Sequence, residues 1–233
     1  SDIAIGTSRL FGFDLKQNFA TPYFSRDIAE FWRRWHISLS TWFRDYLYIP
    51  LGGSRGGTWM KVRNTFAIFL VSGFWHGANW TFIIWGTLNA IYFLPLLLTN
   101  NNRKNLGVVA EGKLFPSFRE LFAMLTTFML TVFAWIFFRS EDLNHAFSYI
   151  GGIFSKNILS IPSFEGRMDA LITMVLISIF LLIEWLGRNG KYGIEQTLIS
   201  NNIYIRVFIY FLLVNMILLY TKNGSQAFIY FQF

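Results

Sequence analysis

Cysteine is absent from the 233 residues. That excludes disulfides, thiolate metal sites and a cysteine nucleophile together. Charge is scarce: Asp, Glu, Lys and Arg make up 14% of the chain, against about 25% in an ordinary soluble domain. A surface built from such a chain cannot face water throughout. Acids are fewer than bases, 13 against 20, and the resulting net charge of +7 raises the question of nucleic acid. That reading fails, because the Lys and Arg residues sit beside apolar runs and form no single stripe. Basic residues flanking apolar spans are what membrane interfaces favour. The first residues, Ser1-Asp2-Ile3, include no initiator Met and have neither the basic start nor the apolar core of a signal peptide. The expectation is a chain that begins part-way through a longer protein.

What is abundant is apolar and aromatic: 54% hydrophobic residues, with 27 Phe and 9 Trp. Between Thr65 and Leu98 there is no charged residue. As one straight helix this run would extend about 51 Å, beyond the roughly 30 Å hydrocarbon core. It must break, and Gly73 and Gly77, bracketing Phe74-Trp75-His76, are the cheapest place. Segment 65–98 is therefore read as a broken membrane segment that carries His76 at depth. Further spans are expected at 118–138, opened by Pro116-Ser117, at 168–187 and at 203–220, with polar loops at 100–113, 140–167 and 188–202. Ile28, Trp32, Trp35, Leu39, Trp42 and Tyr46 recur at helical spacing, so 27–50 reads as one amphipathic interfacial helix, with Asp27 and Glu30 as its capping box. The fold class is an all-α, polytopic integral membrane protein, with transmembrane and re-entrant helices and an interfacial helix.

Several residues carry candidate chemistry. His76 is an ionisable group in an apolar run, and such groups are commonly functional. It reads either as an imidazole bridging two helices or as a general base taking a proton from an alcohol. His36, among Arg33, Arg34, Arg44 and Asp45, reads as an interfacial ring or as a second site residue. No HExxH spacing and no third ligand accompany the two histidines, so no metal site is expected. His145 reads as a loop or helix-start residue, and Glu184 as an interface anchor. Gly52-Gly53-Ser54-Arg55-Gly56-Gly57 lacks the Gly-Lys-Ser/Thr ending of a phosphate loop and reads as a flexible connection.

Two blocks are more specific. They are Phe31-Trp32-Arg33-Arg34-Trp35-His36-Ile37-Ser38, continuing through Trp42-Phe43-Arg44-Asp45-Tyr46 to Pro50-Leu51-Gly52-Gly53, and Ser72-Gly73-Phe74-Trp75-His76-Gly77-Ala78-Asn79-Trp80 with Trp85-Gly86. In this order they closely resemble the membrane-bound O-acyltransferase family, in its bacterial branch of alginate O-acetylation and teichoic-acid D-alanylation proteins. The opening Ser1-Asp2-Ile3-Ala4 and the closing Phe228-Ile229-Tyr230-Phe231 extend the likeness along the chain.

The resemblance implies a multi-pass protein of the bacterial cytoplasmic (inner) membrane, embedded among lipids and lacking a tightly bound cofactor. Its donor would be acetyl-CoA or an acyl carrier protein thioester. Its acceptor would be a polysaccharide, reached directly or through a periplasmic acyltransferase partner. His76 matches the family's catalytic histidine and His36 its second one. Trp75, Asn79 and Trp80 are candidates for holding the acyl oxygen. Arg33, Arg34 and Arg44, with Asp45 and Tyr46 beside them, are candidates either for attracting a phosphorylated donor or for anchoring to headgroups. Asn89-Ala90 stands where many such proteins carry His-Gly, and the chain has about half their usual length, as a C-terminal half would. Two other functions fit an apolar protein of this kind: a polytopic transporter using His76 as a proton relay, and a non-catalytic scaffold of a polysaccharide export or modification complex.

Overall fold

A computed structural model describes residues 2–155, 164–193 and 202–220. Among them every regular element is helical, in two compact units, Ser1–Pro162 and Ser163–Phe233. The first unit holds α1 (Asp2–Leu10), α2 (Ile28–Arg34), α3 (Ile37–Phe43), α4 (Gly57–His76), α5 (Trp80–Leu98), α6 (Phe118–Arg139) and α7 (Leu143–Ile153). The second holds α8 (Arg167–Leu186) and α9 (Ile203–Tyr220). The closing block from Phe228 to Phe233 lies outside the described residues.

Among the described residues three helices are long and apolar enough to cross a membrane: α5, α6 and α8. Residues Ile203–Leu219 of α9 form a shorter apolar helix. No part of α8 is buried within the protein, and Leu171, Val175, Phe180 and Leu182 stand more than half exposed along it. In water this would be an untenable apolar patch; in a bilayer it is a lipid-facing surface. At its end, the Arg188 guanidinium lies 4.1 Å over the Trp185 ring, an interfacial pairing of cation and aromatic.

The region 27–50 is not one helix. Asp27 caps α2 by accepting the Glu30 amide at 2.7 Å. The Glu30 carboxylate does not complete a capping box; it accepts instead from Arg26 and Arg34. The helix then stops at Trp35, extended, and His36 takes a left-handed conformation with φ 44°. The chain can break here because another strand of backbone satisfies the freed groups. Asn18 accepts the Ile37 amide through its carbonyl and the Ser38 amide through its side chain, and the Ala20 amide donates to the Arg34 carbonyl. A short π-helical segment, Arg44–Tyr48, follows α3.

Two other boundaries differ from expectation. Helix α4 starts at Gly57, ahead of the charge-free run, because Asn64 is fully buried and anchors the preceding glycine loop, donating to the carbonyls of Leu51 and Gly53. The expected loop 140–167 contains α7, whose amides are capped by Asp142 and whose Ala146 enters the core with Trp85, Ala134 and Phe137. Helix α6 opens with a full capping box between Ser117 and Glu120.

Helices α4 and α5 form a tight hairpin. A Cβ on Gly73 would strike the Phe82 carbonyl, and one on Gly86 would strike the Phe69 carbonyl. The two glycines thus let each backbone approach the other directly, as small residues do in membrane helix pairs. Gly86→Ala should lower stability by about 1–3 kcal/mol, read as a lower melting temperature of the detergent-purified protein. Gly151→Ala, where a Cβ meets nothing, should leave it unchanged or slightly raised.

Candidate functional site

His76 is the last residue of α4, and Gly77 to Asn79 turn the chain into α5. Its half-buried ring packs on other rings. Phe138 of α6 lies 4.9 Å away, Trp85 of α5 stands at 5.3 Å and perpendicular, Phe82 is 6.2 Å off, and Trp75, itself largely exposed, lies at 4.9 Å. Three helices therefore converge on one imidazole. The bend that puts His76 at a helix end is the break placed at the glycine-bracketed block, and its polar cap is Asn79. That side chain accepts the Thr81 amide at 3.1 Å and donates to the Glu141 carbonyl at 2.7 Å.

The second histidine of the two blocks is His36. It arrives from a separate element, the α2–α3 junction, with Phe19 beside its ring at 6.0 Å. Its Nδ1 is buried and has no hydrogen-bond partner among the described residues. A left-handed non-glycine residue with an unsatisfied buried nitrogen is a costly arrangement, typical of functional positions. Burial holds the His36 imidazole below its ordinary pKa, in favour of the neutral ring.

The junction is held by a buried ionic cluster. Glu30, 1% exposed, accepts from Arg26 at 3.0 Å and from Arg34 at 3.0 Å. Both arginines also donate to the Gly107 carbonyl, and Arg26 reaches Glu120 at the start of α6, 3.6 Å away. Arg33 donates to the carbonyls of Asn102 and Asn105. Arg33 and Arg34 thus fasten α2 to its surroundings. The sequence reading did not include Glu30, Asn18 or Asn89 among site residues. Only the Arg-rich flanks of Glu30 signalled that a buried acid was needed there.

A cavity of about 730 Å³ opens beside α2, α3, α4 and α5. Arg33, Arg44, Lys61 and Arg103 line it together with apolar Ile68, Phe69, Phe93 and Leu97. Ser72 also lines it, one turn and roughly 6 Å of helix axis before His76. Arg44 is exposed and clasps Asp45 at 2.7 Å, and this hydrogen bond holds the Asp45 carboxyl below its usual range. Tyr46 packs on Trp42 at 5.3 Å and is exposed, as is Trp80. The structure packs Trp75 on His76 and sets His36 on a separate element, the α2–α3 junction. It places Arg33 and Arg44 at the cavity, and leaves Asp45, Tyr46 and Trp80 on the surface. Among the described residues no group of three or more His, Asp or Glu side chains lies together.

Residues 1–111, which contain both histidines, match the membrane-bound O-acyltransferase family. Along its whole length the chain is 36% identical to a probable alginate O-acetylase of Pseudomonas putida, covering 49% of that protein. A peptidoglycan O-acetyltransferase of Helicobacter pylori is 40% identical over 69% of the chain and 29% of its own length. A teichoic acid D-alanyltransferase of Bacillus subtilis is 30% identical over 61% of the chain and 37% of its own length. The chain thus spans about half the length of the curated relatives it matches, or less. With its likeness to this membrane family and, among the described residues, three helices able to cross a bilayer, the chain is an integral membrane protein.

Because the folded state favours neutral His36, the unfolded state binds the extra proton as pH falls through about 6.5. Stability is then fully present above that pH and declines below it. Melting temperatures of the detergent-purified protein should fall between pH 7 and pH 5.5, and His36→Gln should flatten part of that slope.

Proposed function

We propose that this chain supplies the histidine-bearing core of a membrane O-acyltransferase of the bacterial cytoplasmic membrane. The reaction moves an acyl group, acetyl in the first instance, from a thioester donor to a hydroxyl of a cell-envelope or exported polysaccharide. The observation that carries this reading is the pairing of His76, at a helix end walled by aromatic rings, with a cavity that comes within one turn of it. The names of the relatives, alginate O-acetylase and peptidoglycan O-acetyltransferase, support a polysaccharide acceptor.

In this mechanism His76 takes the proton of the acceptor hydroxyl as its oxygen attacks the thioester carbonyl. The tetrahedral intermediate collapses with cleavage of the carbon–sulfur bond. The imidazolium returns its proton to the departing thiolate, and the products are an ester and a free thiol. No covalent acyl-enzyme is needed, in keeping with a chain that has no cysteine. His36, at the α2–α3 junction, is the second histidine that this reading assigns to the site. The Trp75 ring, packed on His76, forms the side wall, while Asn79 fixes the α4–α5 turn instead of holding the acyl oxygen. Trp80, exposed on the first turn of α5, remains a candidate donor to that oxygen. The cationic side chains of the cavity, Arg33, Arg44, Lys61 and Arg103, suit the phosphates of coenzyme A or of a carrier-borne phosphopantetheine. The apolar side chains beside them suit its acyl end.

The test is mass spectrometry of envelope and secreted polysaccharides from cells carrying the full-length protein, either wild type or with His76→Ala or His76→Gln at matched membrane abundance. Loss of a general base predicts a fall in acyl esters of about a hundredfold or more. Ester content surviving both substitutions would overturn the proposal in favour of a transporter or scaffold.

A further inference from the structure

One buried polar contact stands between the cavity and His76. Asn89, 1% exposed on α5, accepts the indole N–H of Trp32 at 3.2 Å and donates to the Trp85 carbonyl at 2.8 Å. Trp32 lines the cavity. Its ring meets the edge of Trp85 at 5.9 Å, and Trp85 in turn stands perpendicular to His76 at 5.3 Å. Trp32 also packs on Phe69, a second cavity residue, at 5.3 Å. Two indoles therefore form a wall, with the cavity on one side and the imidazole on the other.

The outer indole, Trp32, belongs to α2, and the inner one, Trp85, to α5. Stacking alone leaves an indole free to slide or tip, whereas a hydrogen bond from Nε1 to a buried amide fixes its plane and depth. Asn89 supplies that bond and is itself immobilised by its own helix through the Trp85 carbonyl. An apolar residue at position 89 would leave the Trp32 N–H unsatisfied, at a cost that drives the indole to a new position.

We infer that Asn89 is a positioning residue which latches Trp32 as the wall limiting the size of acyl group that reaches His76. This rests on the acyl-transfer reading above. The latched ring admits an acetyl group past Trp85 and excludes longer chains, which stay in the cavity.

The test uses the full-length protein in native membranes, supplied with acetyl, butanoyl and hexanoyl thioesters of coenzyme A and, separately, of an acyl carrier protein. Transfer to polysaccharide is followed as kcat/KM. Asn89→Leu and Trp32→Phe should each raise the hexanoyl-to-acetyl ratio by about tenfold, the discrimination expected for a few methylenes in an apolar site. Asn89→His, which keeps an acceptor for the indole, should restore the wild-type ratio. A merely structural role for Asn89 would lower all donors equally, and that unchanged ratio in active variants would overturn the inference alone. If the wild type transfers no acyl group from either donor, the acyl-transfer reading falls and this inference with it.

Discussion

Glu30 is the constraint on which the site depends. A carboxylate buried to 1% exposure survives only if its charge is matched, and Arg26 and Arg34, four residues to either side, match it. Removing one partner of such a cluster typically costs about 3–5 kcal/mol, because the others are left buried and unpaired. The cluster does more than neutralise itself. Its arginines donate to the carbonyls of Ala20 and Gly107 and reach Glu120 on α6. Helix α2 is thereby fixed against three separate stretches of chain. Everything that α2 presents, including Trp32, Trp35 and the His36 that follows, inherits that position.

The second fixed body is the α4–α5 hairpin, drawn tight by Gly73 and Gly86. It sets His76 at a turn instead of in a helix interior, where main-chain bonding and neighbouring turns would crowd it. Aromatic packing then joins the two bodies. Trp35 and Phe31 of α2 stack on one another and meet Trp135 of α6, while Phe138, one turn further on, covers His76. A basic histidine pair assembled from two rigid bodies is a more defined arrangement than a histidine on a mobile loop.

Much of this was legible in the sequence, and the exceptions have physical causes. Charge-free length announced α5, α6 and α8 because the bilayer leaves few alternatives. The break at Gly77 followed from a run too long for one span. The kink at His36 did not, because the helical spacing of Trp32, Trp35, Leu39 and Trp42 continues through it. The deciding group, Asn18, lies far enough away in sequence that no local pattern reports it. Helix α7 was hidden for a related reason: its apolar face is short and is buried only by the core that α5 and α6 provide. The basic residues Arg33, Arg34 and Arg44 were read together, either as attracting a phosphorylated donor or as anchoring to headgroups. In fact Arg34 binds a buried acid, Arg33 binds loop carbonyls beside the cavity, and Arg44, at the cavity's exposed edge, pairs with Asp45. Arg33 and Arg34 are neighbours in sequence yet take different partners, which composition cannot resolve.

The central claim is that His36 and His76, forty residues apart in sequence, serve one site from two separately fixed elements. The most direct measurement is cross-linking of a protein carrying His36→Cys and His76→Cys, in a chain that has no cysteine of its own. A short bifunctional thiol reagent applied to intact membranes should join the two positions, detected as an intramolecular linked peptide by mass spectrometry. Single modification of both thiols with no link between them would contradict the account.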